Sequence, residues 1–456
     1  MPEILYLHEK YIIDVKVHDR NTKYKGKLTL SPDECYIEIF TEREPSKNFS
    51  SSPFLKCVNI THSKTYLLFG LDNVYMSHGL LDIKKSDAIC TYSFKFKIKF
   101  ALFIEGTIKP NTRIKSITFN SKFIKKWTMH TSTQNNIFEN YLMHKGFETY
   151  SGTEFFQKIQ KYGTIGLHYL STLYTSLDVL ESGLKIHPKL LLTFKRKVKI
   201  PEIYNEYLKL YQLLSLFNGS DIKADFIEID FGDSRYNTPS LYFSSFQEEE
   251  KLDYTILPLG KDVIFSDLGI LPLPLNFFNV YYNLPKFKME FFSRFLQYKR
   301  LNSLEDKFLG YFRLLEKLTA KQECYVDDEE LSKLLDKSKS YLVKKLNTKK
   351  KTIESLSARI SYANKLKYNT EKCIADFYDT LPEYIRYHLE FEKTDLKHIV
   401  DLRNNITHAK DYIIDDQKLY KYTAFIHSLL YLAIINLLLD IPLETCSPIA
   451  RRLKQI

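Results

Sequence analysis

Residues 271–275 read Leu271-Pro272-Leu273-Pro274-Leu275, Pro285 follows, and no further proline occurs until Pro382. Proline locks φ and has no backbone donor, so a proline cluster followed by a long proline-free stretch marks a change from one kind of structure to another. On its N-terminal side the chain alternates. Ile12-Ile13-Asp14-Val15-Lys16-Val17, Lys27-Leu28-Thr29-Leu30, Cys35-Tyr36-Ile37-Glu38-Ile39-Phe40 and Tyr66-Leu67-Leu68-Phe69-Gly70 are β-branched and aromatic runs of strand character. On its C-terminal side the period changes to three and four, with Phe308, Phe312, Leu315 and Leu318 on one stripe. The expected fold is therefore α+β and multidomain. Residues 1–285 form a β-rich region of one or two subdomains, and residues 286–456 form an all-α helical bundle.

Within the first region, Tyr92-Ser93-Phe94-Lys95-Phe96-Lys97-Ile98-Lys99-Phe100 puts aromatics on one face and lysines on the other. Such a strand is half solvated; interleaved lysines and aromatics also occur on nucleic-acid surfaces, and the core-filling reading is preferred here. Strands continue at Lys189–Phe194 and Phe226–Phe231 and are joined by one clear helix. Pro201 stands in its first turn, Ile203, Tyr207, Leu210 and Leu214 form its apolar stripe, and Asn218-Gly219 ends it. Beyond Pro285 a lysine-rich amphipathic stretch covers about 328–369, with further helices expected at about 371–390, 394–411 and 416–440.

The chain has 456 residues with 44% hydrophobic and 27% charged residues, which excludes disordered and fibrous classes. Its 66 Lys+Arg against 55 Asp+Glu leave a charge of +11, a mild bias toward polyanions. Six cysteines occur without any CxxC pair, and the opening MPEILYLHEK lacks the order of a secretion signal, so a reducing cytoplasm is expected. Cys324, Cys373 and Cys446 leave two readings open, a zinc site with a fourth ligand or free buried thiols. The run Tyr422–Leu439 is nearly long enough to span a bilayer, but it contains His427, Ser428 and Asn436. A buried bundle or dimer helix is the preferred reading, and no membrane is expected as partner.

Chemistry concentrates at Asp401-Leu402-Arg403-Asn404-Asn405-Ile406-Thr407-His408-Ala409-Lys410-Asp411-Tyr412. With 13 Arg and 12 His in the chain, Arg-x4-His alone would arise by chance about 0.3 times, and requiring Asn after the Arg lowers this to roughly 0.02. On a helix, Ile399, Leu402 and Ile406 share the core face, while Asn404 and His408 point together to the other side with Arg403 flanking them. Such a polar face is also what ordinary solvent surface looks like.

This Arg-Asn-x3-His stretch, preceded by a helix reading Phe308-Leu309-Gly310-Tyr311-Phe312-Arg313-Leu314-Leu315-Glu316-Lys317-Leu318, resembles the HEPN superfamily over about 295–445. A β-rich N-terminal region before it resembles the ApeA-like antiphage abortive-infection proteins. The resemblance implies a metal-independent endoribonuclease that works without a cofactor as a homodimer or higher homo-oligomer. In it Arg403, Asn404 and His408 are the catalytic positions and Glu316 is an auxiliary one. It also implies RNA as substrate, with transfer RNA the first to test, and a phage-derived trigger. Glu316 has the alternative of pairing with a nearby lysine.

Those side chains suit the chemistry. RNA carries its own nucleophile, the 2′-OH, and an imidazole of ordinary pKa about 6.5 exchanges protons near neutrality. A forked guanidinium fits the oxygens of a phosphorane. Lys344, Lys345, Lys349, Lys350 and Lys351, with Lys337 and Lys339 before them, offer a phosphate-contacting strip or a plain solvated helix and loop. The competing function is a non-catalytic HEPN-type module that binds a nucleotide or a partner protein.

Overall fold

A computed structural model describes residues 4–19, 22–41, 53–81, 89–108, 111–144, 151–176, 181–233, 239–245, 255–260, 272–321, 323–365, 367–408, 410 and 412–455. Leu271 of the proline cluster, Ala409 and Asp411 of the motif stretch, the first three residues and the side chain of Cys90 lie outside that set. The chain divides into two compact units, Met1–Leu284 and Pro285–Ile456.

Among its described residues the first unit is built on twelve strands: β1 (Tyr11–Asp19), β2 (Thr22–Leu30), β3 (Cys35–Thr41), β4 (Phe54–Asn59), β5 (Lys64–Leu81), β6 (Ile89–Glu105), β7 (Arg113–Asn120), β8 (Ser151–Ile159), β9 (Gly163–Ser176), β10 (Glu181–Lys199), β11 (Phe226–Asp230) and β12 (Ser240–Tyr242). They form one sheet in the order β3-β2-β1-β4-β5-β6-β12-β11-β7-β10-β9-β8. Strand β3 also pairs with the first half of β6, from Thr41 opposite Tyr92 to Tyr36 opposite Lys97. This pairing closes β1–β6 into a six-stranded ring that has no free edge. The second half of β6 pairs with β12, Ala101 opposite Tyr242, and carries the sheet onward.

Alternation decides what fills the ring. Val15, Val17, Leu28, Ile37, Ile39, Leu55, Cys57, Phe94, Phe96 and Ile98 are buried, while Lys97 and Lys99 are exposed. Lys95 lies over the Tyr36 ring at 3.7 Å. Gly26 is required on β2, since a Cβ there would stand 2.8 Å from Val17 Cγ2 and 2.9 Å from the Glu38 carbonyl oxygen.

Helices α1 (Lys122–Thr128), α2 (Ser132–His144), α3 (Ile203–Asn218) and α4 (Phe277–Tyr282) complete this unit. Only α3 is legible in advance: Pro201 sits in a 3₁₀ turn before it, and Gly219 caps it at φ 79. The others are inserted helices that no periodicity placed. α1 is a single short turn sequence around Phe123, Ile124 and Trp127, all buried, too brief to show a period.

Among its described residues the second unit holds helices and no strand: α5 (Lys286–Lys299), α6 (Leu304–Thr319), α7 (Asp328–Lys345), α8 (Lys350–Asn364), α9 (Thr370–Asp379), α10 (Glu383–His388), α11 (Leu396–Thr407) and α12 (Asp416–Ala433). A π turn at Ile434–Leu438 and a 3₁₀ segment at Leu443–Gln455 follow. The lysine-rich stretch is two helices, broken where Asn347 takes φ 44. The helix expected at 371–390 is broken at Pro382, which can open α10 but cannot continue α9.

Helix α12 with its π turn is long and apolar enough to cross a membrane, yet 78% of its most apolar window is buried inside the unit. His427 lies stacked between Phe295 and Tyr311, with ring centroids at 5.1 and 4.3 Å. Ser428 Oγ donates to the carbonyls of Ala424 and Leu453. Burial, reinforced by Lys299 and Lys307, pushes the His427 imidazole well below its ordinary pKa. The folded state therefore holds it neutral while the unfolded chain takes up a proton below about pH 6.5. Stability contributed here is complete above that pH and is lost as pH falls, by at most about 1.4 kcal/mol per unit. Urea unfolding at pH 7.5, 6.5, 5.5 and 5.0 should show this slope in the parent and a flatter one in His427→Phe; equal slopes would refute it.

Candidate active site

The motif lies at the end of α11. A 3₁₀ turn at Lys393–Asp395 precedes the helix, and the Glu392 backbone N–H donates to Asp395 Oδ2 at 3.0 Å, so the helix start is fixed by reciprocal capping. Leu396, Ile399 and Leu402 are buried beneath it. Ile406, expected on the same face, is only half-buried, because the helix is already ending. Thr407 is its last residue and His408 is the C-cap, donating its backbone N–H to the Asn404 carbonyl at 3.0 Å.

Arg403 reaches across to α6. Its Nη2 donates to Glu316 Oε2 at 2.8 Å and its Nη1 donates to Asn404 Oδ1 at 2.9 Å. The guanidinium carbon stands 5.5 Å from the centre of the Phe312 ring, one helical turn before Glu316. Glu316 Oε1 accepts from Thr370 Oγ1 at 2.6 Å, so one carboxylate joins α6, α9 and α11. The pair is half-buried, with 22% of the Arg403 side chain and 30% of Glu316 exposed. Glu316 thus pairs with an arginine rather than a lysine. The Arg403 Nε is buried without a partner.

His408 is exposed. Among the described residues its ring takes part in no hydrogen bond or ring contact, and Asn404 gives its oxygen to Arg403 instead. Within the protomer Asn404 steadies the guanidinium, and among the described residues its amide NH2 donates to no acceptor. The chain after the motif is pinned by Tyr412, whose hydroxyl donates to Glu305 on α6. That carboxylate bond and partial desolvation raise the phenol above its ordinary range. Helix α6 is itself capped by Ser303 Oγ, which accepts from the Asp306 N–H at 3.2 Å. It lies close to α5 because Gly310 admits Tyr298, whose ring carbons a Cβ would meet at 2.5 Å.

Residues 309–444 match the family model of the Apea-like HEPN. This segment is an Apea-like HEPN domain. No curated protein and no solved structure gives a match. The match contains Glu316, Thr370, Arg403, Asn404 and His408, and it points to a ribonuclease-type or antiphage role.

Within the HEPN domain, Lys344 and Lys345 end α7, Lys349 caps α8, and Lys350 and Lys351 begin it, all five exposed at one end of a helical hairpin. No acidic residue stands in the first turn of α8, so three lysines face the positive end of its dipole, a local cost. Lys337 is exposed, whereas Lys339 is engaged by Asp336 at 2.6 Å. Cys373 and Cys446 are buried thiols and Cys324 is half-buried. Among the described residues no three His, Cys, Asp or Glu side chains gather as a metal-binding group.

Thr370 and the Phe312 ring are the parts that sequence reasoning missed. Asn369-Thr370 carries only a capping signal, Asn369 Oδ1 accepting from the Lys372 N–H at 2.8 Å. Nothing in it announces a bond to a glutamate on another helix.

Proposed function

We propose that the chain is a metal-independent endoribonuclease effector of antiphage defence, in which Arg403, Asn404 and His408 from two protomers form a composite site. The observation that carries this reading is a guanidinium steadied by Glu316 and Asn404 beside an exposed imidazole, unengaged among the described residues, at the end of the same helix. An immobilised cation next to a free proton carrier is what cleavage by an internal nucleophile needs.

In the reaction the 2′-oxygen attacks the adjacent phosphorus. The O2′–P bond forms and the P–O5′ bond breaks. One His408 takes the 2′-OH proton and the His408 of the second protomer gives a proton to the leaving 5′-oxygen, because one motif supplies one imidazole. The remaining donors of Arg403 and the Asn404 amide bind the oxygens that gain charge. Glu316 is a positioning residue: it touches Arg403, and Arg403 touches the phosphate. The lysines from Lys344 to Lys351 hold the RNA backbone, which supports a steep fall in binding with salt. The β-rich unit takes the sensing or restraining part, and a phage component is the trigger.

The test is incubation of transfer RNA and mixed RNA with the purified chain in excess chelator. Products ending in a 2′,3′-cyclic phosphate and a 5′-hydroxyl are expected, and 2′-O-methylation at the scissile nucleotide should block cutting. Cleavage of the methylated RNA at the same rate would overturn the mechanism.

A second reading is favoured by the same ion pair. With Arg403 held by Glu316 and His408 without a side-chain partner among the described residues, the HEPN domain could serve as a nucleotide- or partner-binding module. Nucleotide binding without cleavage of any RNA would select it.

A further inference from the structure

A second basic surface is built into the β-rich unit, on the outward face of β2, β1 and β4. Lys16 stands directly opposite Lys25, and His18 stands directly opposite Lys23 on one side and Lys56 on the other. Like charges facing each other across strands are destabilising, since their Cβ atoms are only about 5 Å apart. Here the arrangement is repeated on three neighbouring strands. Lys16 Nζ donates to His62 Nε2 at 3.1 Å, and among the described residues no carboxylate pairs with it. His62 is held for that contact in a left-handed conformation, φ 56, by a turn in which Asn59 bonds Thr61, Ser63 and the Lys64 N–H. The His18 Nε2 is buried without a partner. Burial first, then Lys23, Lys56, His62 and Lys16, hold its imidazole below the ordinary range.

Beside this row the same face opens into a shallow apolar hollow of about 100 Å³, with Lys56 at its rim and Phe54, Phe69, Leu67 and Pro201 among its walls. The Phe54 and Phe69 rings lie 5.7 Å apart. A line of cations that have no carboxylate partner among the described residues, next to an aromatic-walled hollow, is the pairing that single-stranded nucleic acid requires, phosphates on the one and a base in the other.

We propose that this face of the β-rich unit binds single-stranded nucleic acid, with Lys16, Lys23, Lys25 and Lys56 on the phosphates and a base seated against Phe54 and Phe69. The proposal does not depend on the ribonuclease reading. RNA and DNA share the backbone chemistry, and the experiment separates them.

The full chain is titrated into a fluorescent 20-nucleotide 2′-O-methyl RNA and into DNA of the same sequence, neither of which can be cut by 2′-OH attack. The charge-reversed variant Lys23→Glu/Lys25→Glu/Lys56→Glu should bind at least about tenfold more weakly, and its salt dependence should be shallower by about 2 in logarithmic slope. Phe54→Ala should weaken binding several-fold with the slope unchanged. Tighter binding of the RNA probe would assign RNA as the ligand, and equal binding would assign the backbone alone; both support the site. If the reversed variant does not fold, judged by circular dichroism and melting, the milder set Lys23→Gln/Lys25→Gln/Lys56→Gln replaces it, with a smaller loss expected. A folded variant that keeps the parent's affinity and slope for both probes would overturn the proposal, as would loss of all binding in Lys344→Glu/Lys345→Glu alone.

Discussion

His408→Ala should lower the rate of RNA cleavage on the order of a hundredfold or more while leaving the chain folded. The side chain is exposed at the C-cap of α11 and makes no hydrogen bond among the described residues, so its loss removes little packing. Only its backbone N–H is used, in the bond to Asn404, and alanine retains it. The effect should therefore appear in kcat with melting temperature and RNA affinity unchanged. Mixing His408→Ala chains with parent chains carries the argument further. If two histidines divide the acid and base steps, heterodimers should be as slow as the variant, and activity should fall faster than the parent fraction. A purified His408→Ala chain that cuts RNA at the parent's rate would remove the catalyst from the mechanism.

Arg403→Ala should cost cleavage on the order of a hundredfold, and Arg403→Lys on the order of tenfold or more, because an ammonium keeps the charge but loses the planar fork. The two-sided engagement of the guanidinium by Glu316 and Asn404 aims its remaining donors. Glu316→Gln then separates positioning from support. It removes the charge that holds Arg403 and weakens the acceptor for Thr370, at a stability cost of about 1–3 kcal/mol. If Glu316 positions Arg403, the folded fraction should still lose kcat about tenfold, and Glu316→Gln should add little in an Arg403→Ala background. If the glutamate only supports the helices, stability should fall with kcat intact and the two substitutions should be independent.

Much of the architecture is legible in the sequence. The proline cluster near 271–285 separates two patterns, and both patterns depend on local periodicity, two for strands and near four for helices. Phe94, Phe96 and Ile98 went inward and Lys97 and Lys99 outward because the pleat leaves no other choice once one face must be buried. The short helices α1 and α4 and the breaks at Asn347 and Pro382 were harder, since they occupy too few residues to show a period or depend on a single backbone angle.

The site divides in the same way. Arg403, Asn404 and His408 stand out because they are neighbours along one segment, and neighbours on a segment are visible to spacing. Their contacts were not: the Asn404 oxygen accepts from Arg403, and the Thr370 and Phe312 contacts join helices far apart in sequence. The basic face of β1, β2 and β4 is likewise spread over three strands, whose register alone puts Lys16 opposite Lys25 and His18 between Lys23 and Lys56. Local order along the chain determined the two kinds of unit and the motif. Only the tertiary structure decided which charges meet, because pairing across strands and helices is set by packing of the whole unit, which no local pattern encodes.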